Sequence, residues 1–81
     1  MRVIEEISYP QFKLSVFYMN GKYIINFSQG NLEQAFKISE LDYIIKDVHD
    51  IKQIVNDEFI RIVLARFTEM NKQLATALID F

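Results

Sequence analysis

The amino-acid sequence predicts an α+β fold, a four-stranded antiparallel meander followed by one short and one long C-terminal helix packed on one sheet face. Two observations support this two-layer prediction. In the first half of the chain, apolar and polar residues alternate with period two around two glycine-containing turns. From Ser39 onward, the apolar residues recur at the spacing of a helix. Strands followed by helices is the element order of an α+β domain.

The length and composition predict a single domain over residues 1–81, with the sheet at about 2–38 and helices at about 40–55 and 58–80. Because the chain has no cysteine, neither disulfides nor thiolate ligands can stabilise it, and stability must come from apolar burial. Hydrophobic residues make up 51% of the sequence, which is much apolar surface for so small a domain to hide. We therefore expect part of this surface to lie in a subunit interface, most simply that of a homodimer.

The charge and hydropathy of the chain limit the classes of partner. The formal net charge of −2 predicts no strong electrostatic field of either sign. No apolar run approaches the ~20 residues of a transmembrane helix, so we expect no membrane partner. The first six residues include two acids where a secretory signal would be apolar, and a cytoplasmic location is expected.

The strongest local signal is Asn20-Gly21, a dipeptide that suits the type I′ turn of a two-residue hairpin. This turn sets a register that pairs Val16 with Ile25. A second hairpin is predicted at Gly30-Asn31, with Gly30 at the first central position of a type II′ turn, and it pairs Ile25 with Phe36. The two turns thus predict the same core face, formed by Phe12, Leu14, Val16, Tyr18, Tyr23, Ile25, Phe27, Leu32, Phe36 and Ile38.

The first strand is predicted over about Arg2 to Ser8, and its register is left open. A tight turn through Tyr9-Pro10 would pair Ile7 with Phe12, and it would place Glu5 on the core face. Because an unpaired buried carboxylate is costly, we expect either a β-bulge in this strand or an edge position for Glu5.

The helical half begins at Ser39-Glu40-Leu41-Asp42, a sequence typical of a capping box. An unbroken helix over residues 40–80 would be ~60 Å long, against ~27 Å for an eight-residue strand, so a break is predicted near Asn56. Asn56 followed by two acids is typical of a helix N-terminus. The last helix would still overhang the sheet, with a stripe formed by Phe59, Val63, Phe67, Met70, Leu74, Leu78 and Phe81 and widened by Ile60, Leu64 and Ala77.

Asp47, His49 and Asp50 are a group of potential metal ligands that lie close together in the sequence. Positions 47 and 50 share a helix face and position 49 points elsewhere, so the three do not converge, and a solvated helix face is expected. One His and no Cys cannot form a zinc motif, and both glycines are used in the predicted turns rather than in a phosphate-binding loop. We therefore predict a protein that is not an enzyme and binds no metal or cofactor.

The second face of the sheet and the last helix are the predicted interaction surfaces. Phe17, Ile24 and Met19 lie among lysines on the sheet, and the helix continues its apolar stripe beyond it. A second copy of the chain is the expected partner, and another protein is a further candidate. The predicted interface residues are Phe17, Met19, Ile24, Ile60, Leu64, Phe67, Leu78 and Phe81.

The alternative function is binding of single-stranded nucleic acid by Lys13, Lys22, Lys37 and Phe17, since lysines attract phosphates and a ring stacks on bases. The order of four strands and a helix resembles the purine-rich-element-binding repeat and the positive-cofactor-4 type of single-strand DNA binder. This resemblance is one of topology, and it implies a dimer that binds single strands. A self-interface is preferred because only one aromatic residue lies among these lysines and the net charge is negative.

Overall fold

The computed structural model describes residues 2–81. The strands form one antiparallel sheet in the order β1-β2-β3-β4, and the helices pack on one of its faces. This arrangement confirms the predicted α+β meander. None of the helices within residues 2–81 is long and apolar enough to cross a membrane. The elements are β1 (Arg2–Ser8), β2 (Lys13–Met19), β3 (Lys22–Gln29), β4 (Leu32–Ser39), α1 (Val48–Ile54) and α2 (Asp57–Leu78).

Both predicted hairpins are confirmed in turn position and in register. Asn20 and Gly21 have φ angles of 53° and 75°, as the two central positions of a type I′ turn require. Gly30 has a φ angle of 58°, and Asn31 does not share a positive φ, which agrees with a type II′ turn. Val16 pairs with Ile25, as predicted, and the core face is the one predicted from the two turns.

The turn between β1 and β2 is longer than a tight turn through Tyr9-Pro10. The Tyr9 N–H donates to the Phe12 carbonyl at 2.8 Å, so residues 9–12 all belong to the connection. Ile7 therefore pairs with Leu14 instead of Phe12.

The predicted irregularity of the first strand is present as a β-bulge. The register of β1 shifts between Val3 and Glu5, which brings Ile4 into contact with the core. Glu5 lies at the core-face edge of the sheet, where its carboxylate is 3.7 Å from the Lys52 ammonium of α1. The bulge and this ion pair together explain how a carboxylate is tolerated on the apolar face.

The first helix is shorter than the predicted range of 40–55. Ser39 to Asp42 forms a turn, in which the Leu41 N–H donates to the Ser39 hydroxyl at 3.2 Å. The Glu40 N–H donates to the Gly21 carbonyl at 2.9 Å, so residue 40 is still bound to the end of the sheet. The chain must cross from the sheet layer to the helical layer before α1 can begin, and residues 40–47 make that crossing.

Asp47 is the residue that caps α1. Its carboxylate accepts hydrogen bonds from the backbone N–H groups of His49, at 2.9 Å, and Asp50. Asp50 in turn accepts a hydrogen bond at 2.8 Å from the N–H of Lys46, the residue before the cap, so both acids bind backbone groups at the start of α1. The break near Asn56 is confirmed, because the Asn56 side chain accepts the Phe59 N–H at 3.0 Å and begins α2.

The core lies between the sheet and the two helices. The Phe59 ring is 5.8 Å from the ring of Phe27 in β3 and 5.0 Å from that of Phe36 in β4, so α2 lies above the space between these strands. The Gln34 side chain donates to the Val63 carbonyl at 2.9 Å, so α2 runs antiparallel to β4. The fully or almost fully buried apolar residues are Phe12, Leu14, Val16, Tyr23, Ile25, Phe27, Ile51, Val55, Val63 and Phe67.

Candidate interaction surfaces

The face of the sheet opposite the helices, which we call the open face, mixes apolar and charged side chains. Val3, Phe17, Ile24 and Lys37 form one row across all four strands. Phe17 and Ile24 are half-buried by their neighbours within the sheet, whereas Val3 is exposed. Met19 lies at the end of β2 on this face and is also exposed. The row is an apolar strip that ends in a lysine.

The charges of the open face are nearly balanced. The Lys13 ammonium is 3.6 Å from the Glu6 carboxylate on the neighbouring strand. Glu33 lies on this face of β4, and Lys37 lies four residues further along the same strand, on the same face. The three lysines predicted to bind nucleic acid are therefore accompanied by two glutamates, and Lys13 is already paired.

The C-terminal part of α2 extends beyond the sheet. The Asn71 amide donates to the Gln29 side chain at 3.3 Å, and every residue from 71 to 81 is exposed. We call residues 71–81 the helical overhang. Leu78 keeps 51% of its surface exposed and Phe81 is completely exposed. Beyond the contacts of Asn71 with Gln29 and of Leu74 with the groove beside Leu32, the overhang is an exposed surface that carries large apolar side chains.

The remaining predicted interface residues lie deeper than expected. Ile60 and Leu64 are partly buried and pack against the core. Phe67 is completely buried among the core residues, so it belongs to the interior of the domain instead of its surface. It points toward the sheet because it lies one helical turn beyond Val63, the other fully buried residue of α2.

A second exposed apolar segment, residues 41–44, lies within the range predicted for the first helix but is a loop in the structure. We call it the apolar loop. Leu41 and Ile44 are 96% and 88% exposed, and Tyr43 is exposed as well. Asp47 followed by Asp50 is the cap that excludes these residues from α1, and recognising it in the sequence would have revealed them. Beside the loop lies a cavity of about 620 Å³ lined by Ile38, Tyr43, Ile44, Ile45, Asp50, Gln53 and Ile54.

The residues considered for metal binding have structural roles. Asp47 and Asp50 cap α1, and the exposed His49 ring is 3.1 Å from the Gln53 side-chain nitrogen. Within residues 2–81, no three His, Asp or Glu side chains are placed to hold a metal ion.

The pKa values of Glu58, Arg61 and Tyr18 are shifted by neighbouring side chains. The Arg61 guanidinium donates to the Glu58 carboxylate at 2.6 and 3.0 Å, and this hydrogen bonding and charge lower the pKa of Glu58 and raise the pKa of Arg61. The Glu40 carboxylate raises the pKa of Tyr18 by accepting a hydrogen bond from the neutral phenol. Glu58 and Arg61 thus interact at the start of α2, and the crossing segment is held at the sheet by the Glu40 backbone N–H.

No protein-family model matches this chain, and the comparisons with curated proteins and with solved structures found no match either. The topological resemblance to single-strand DNA binders therefore stays a prediction from element order. What the protein does has to be inferred from the open face, the helical overhang and the apolar loop.

Proposed function

We propose that this protein is a small, non-enzymatic interaction domain of the cytoplasm that acts as a homodimer. The observation that carries the proposal is the helical overhang. It places Leu78, Ile79 and Phe81 on the surface, beyond the sheet that covers the first half of α2, and leaves Leu74 partly exposed beside Leu32. Contiguous exposed apolar surface on a small protein is typical of an interaction site.

A second copy of the chain is the partner that this surface favours. The apolar loop and the overhang are both exposed, and they lie at opposite ends of β4, because the loop follows Ser39 whereas the overhang passes the turn before Leu32. A two-fold axis between two copies can make their β4 strands run in opposite directions. Such an axis can therefore bring the overhang of one copy toward the loop of the other.

Sedimentation equilibrium over low to high micromolar concentrations tests this proposal. We expect the apparent mass to rise from that of one 9.6 kDa chain toward that of two. A single species of monomer mass at the highest concentration would contradict it.

The second candidate function is single-stranded nucleic-acid binding by the open face. The observation that favours it is the position of Phe17 in the same row as Lys37, with Lys22 in the next row. The Lys13–Glu6 pair and Glu33 on the same face argue against nucleic-acid binding, because both carboxylates reduce the positive charge of the open face.

Fluorescence anisotropy with labelled single-stranded oligonucleotides distinguishes the two functions. Binding that weakens with salt and is lost in Lys37→Glu and Phe17→Ala would support the second function. Lys72→Glu, the same charge reversal on α2, is the matched control. No binding at low salt would remove this candidate and leave the homodimer unaffected.

A further inference from the structure

The two edges of the sheet differ in a way that matters for strand pairing. β1 carries a bulge and turns the charged Glu5 toward the core face, both of which are features that protect an edge from pairing with another strand. β4 is eight residues long, with no register shift and no proline. In the described part of the chain, its residues 33–38 make no backbone hydrogen bond outside the ladder with β3. β4 is therefore an edge that is open to a further strand.

The hairpin determines which residues of β4 offer their backbone groups outward. Gln29 and Leu32 close a two-residue turn and exchange hydrogen bonds, and this pattern repeats at every second residue of β4. The N–H and C=O groups of Glu33, Ala35 and Lys37 consequently point away from β3, toward the free edge. In a pair of β4 strands, the outward backbone groups of these three residues must bond to the same groups of the second copy. Only a few two-fold symmetric registers satisfy this condition.

We propose that two copies of this chain pair through β4 as antiparallel strands centred on Ala35, which joins their sheets into one of eight strands. The proposal rests on the proposed homodimer and names its interface. Among the allowed registers, this one places Glu33 of each copy opposite Lys37 of the other, so that two cross-strand ion pairs form by symmetry. Shifting the centre to Glu33 or Lys37 places like charges opposite each other, and centring on Gln34 or Phe36 places Ala35 opposite one of these charges and forms no ion pair.

The helical layer leaves room for this pairing. Because α2 lies above the space between β3 and β4, two copies of α2 come about 10 Å apart across the axis, which is the usual distance between packed helices. Phe59 and Val63 lie beside Phe36 and Gln34, the neighbours of Ala35, so Ile62 lies near the two-fold axis. Ile62 is 37% exposed and lines a groove of about 200 Å³ along this edge, which its counterpart in the second copy would fill.

The same register brings the two unpartnered apolar surfaces together. Leu32 lies beside Met70 and Leu74, where the overhang begins, and the proposed register places it opposite Ile38 of the second copy. Beyond Ile38 come the apolar loop and the cavity beside it, on the side of the sheet that also carries α2. The overhang of each copy therefore runs toward the apolar loop of the other. The free edge of β4, the Glu33–Lys37 pairs and the contact between overhang and apolar loop are therefore compatible with the same dimer.

A charge swap tests the register. Glu33→Lys and Lys37→Glu each replace two attractions with two repulsions, and we expect each to raise the dimer dissociation constant about tenfold or more. The double variant restores opposite charges across the axis and should return the constant to within about threefold of the original. Glu6→Lys, the same substitution on the open face of the other edge strand, is the matched control and should leave the constant unchanged.

A cysteine placed at the two-fold axis tests the β4 pairing independently, by disulfide cross-linking. Ala35 residues that face each other in a hydrogen-bonded antiparallel pair have Cα atoms ~5.5 Å apart, which suits a disulfide. Since the chain has no cysteine of its own, Ala35→Cys should form a covalent dimer under mild oxidation. Ser8→Cys on β1 should stay monomeric on a denaturing gel without reductant.

The outcomes separate this interface from the homodimer itself. Rescue of the dissociation constant by the double swap, together with cross-linking at residue 35, supports pairing through β4. A dimer that is unaffected by Glu33→Lys and does not cross-link at residue 35 overturns the β4 interface and leaves the homodimer standing. A wild-type chain that stays monomeric overturns both.

Discussion

Phe67 and Phe81 carry the same side chain and belong to the same predicted apolar stripe, but the structure places them in opposite environments. Phe67 is completely buried between α2 and the sheet, and Phe81 is completely exposed beyond the end of the helix. The apolar stripe continues to the end of the chain, but the sheet ends earlier, so only the first part of the stripe is covered. At the scale of the residue, apolar character alone therefore does not say which contacts a side chain makes.

Phe67→Ala and Phe81→Ala should separate these two environments. Removing the Phe67 ring leaves a cavity in the core, so we expect the free energy of unfolding to fall by about 3–5 kcal/mol. Phe81→Ala should change it by less than about 0.5 kcal/mol. Urea denaturation at a concentration below dimerisation measures both, and Phe67→Leu serves if the alanine variant does not fold. Equal losses for the two alanine variants would contradict the assignment of Phe67 to the core.

The ionisation of Glu58 should depend on Arg61. Because Arg61 lowers the pKa of the folded carboxyl below its unfolded value, this contribution to stability is present above the unfolded pKa. It is lost as the pH falls through the folded pKa. An NMR titration of the Glu58 carboxyl in Arg61→Gln should show its pKa raised toward the ordinary value. Lys72→Gln, which removes a distant charge of α2, should leave the Glu58 titration where it is.

At the scale of the element, local chemistry determined some boundaries and tertiary contacts determined others. Asn20-Gly21 and Gly30-Asn31 are turns because of their backbone preferences, so their registers were predictable. Ser39 to Asp42 has the composition of a helix cap, yet the bond from the Glu40 N–H to the Gly21 carbonyl holds this segment at the sheet. The sequence cannot show that contact, because it joins residues far apart along the chain.

The helix cap at Asn56 should make a measurable contribution to the free energy of unfolding. Asn56→Ala removes the acceptor for the Phe59 N–H at the start of α2, and we expect a loss of about 1 kcal/mol in the free energy of unfolding. Asn56→Asp keeps an acceptor at the same position and should remain within about 0.5 kcal/mol of the original chain. Urea denaturation of the three proteins checks this, and equal losses in the two variants would argue against a capping role.

At the scale of the whole molecule, the elongated shape is the feature with functional meaning. The principal extents are 47, 25 and 21 Å, and the helical overhang lies beyond the end of the β3–β4 hairpin. The overhang and the apolar loop are thus exposed at opposite ends of β4. An isolated monomer leaves both surfaces in contact with water, and the proposed homodimer covers them.

Leu78→Asp and Ile44→Asp should each weaken the dimer, because each places a charge in the contact between overhang and apolar loop. We expect the dissociation constant to rise at least about tenfold in either variant, and the stability of the monomer to change little because both residues are exposed. Val3→Asp adds the same charge to an exposed apolar position on β1 and should leave the dimer unaffected. Sedimentation equilibrium compares them, and a stronger effect of Val3→Asp would favour the open face as the interface.

The sequence by itself determined the meander, its two hairpin registers, the core face of the sheet and the break at Asn56. These features depend on local backbone preferences and on the period of apolar residues, which are legible along the chain. The Asp47–Asp50 cap that starts α1 is also local, whereas only the tertiary structure decided the β1 register and the burial of Phe67. These features depend on packing between segments that are remote in the sequence, because that packing sets where the helical layer ends above the sheet.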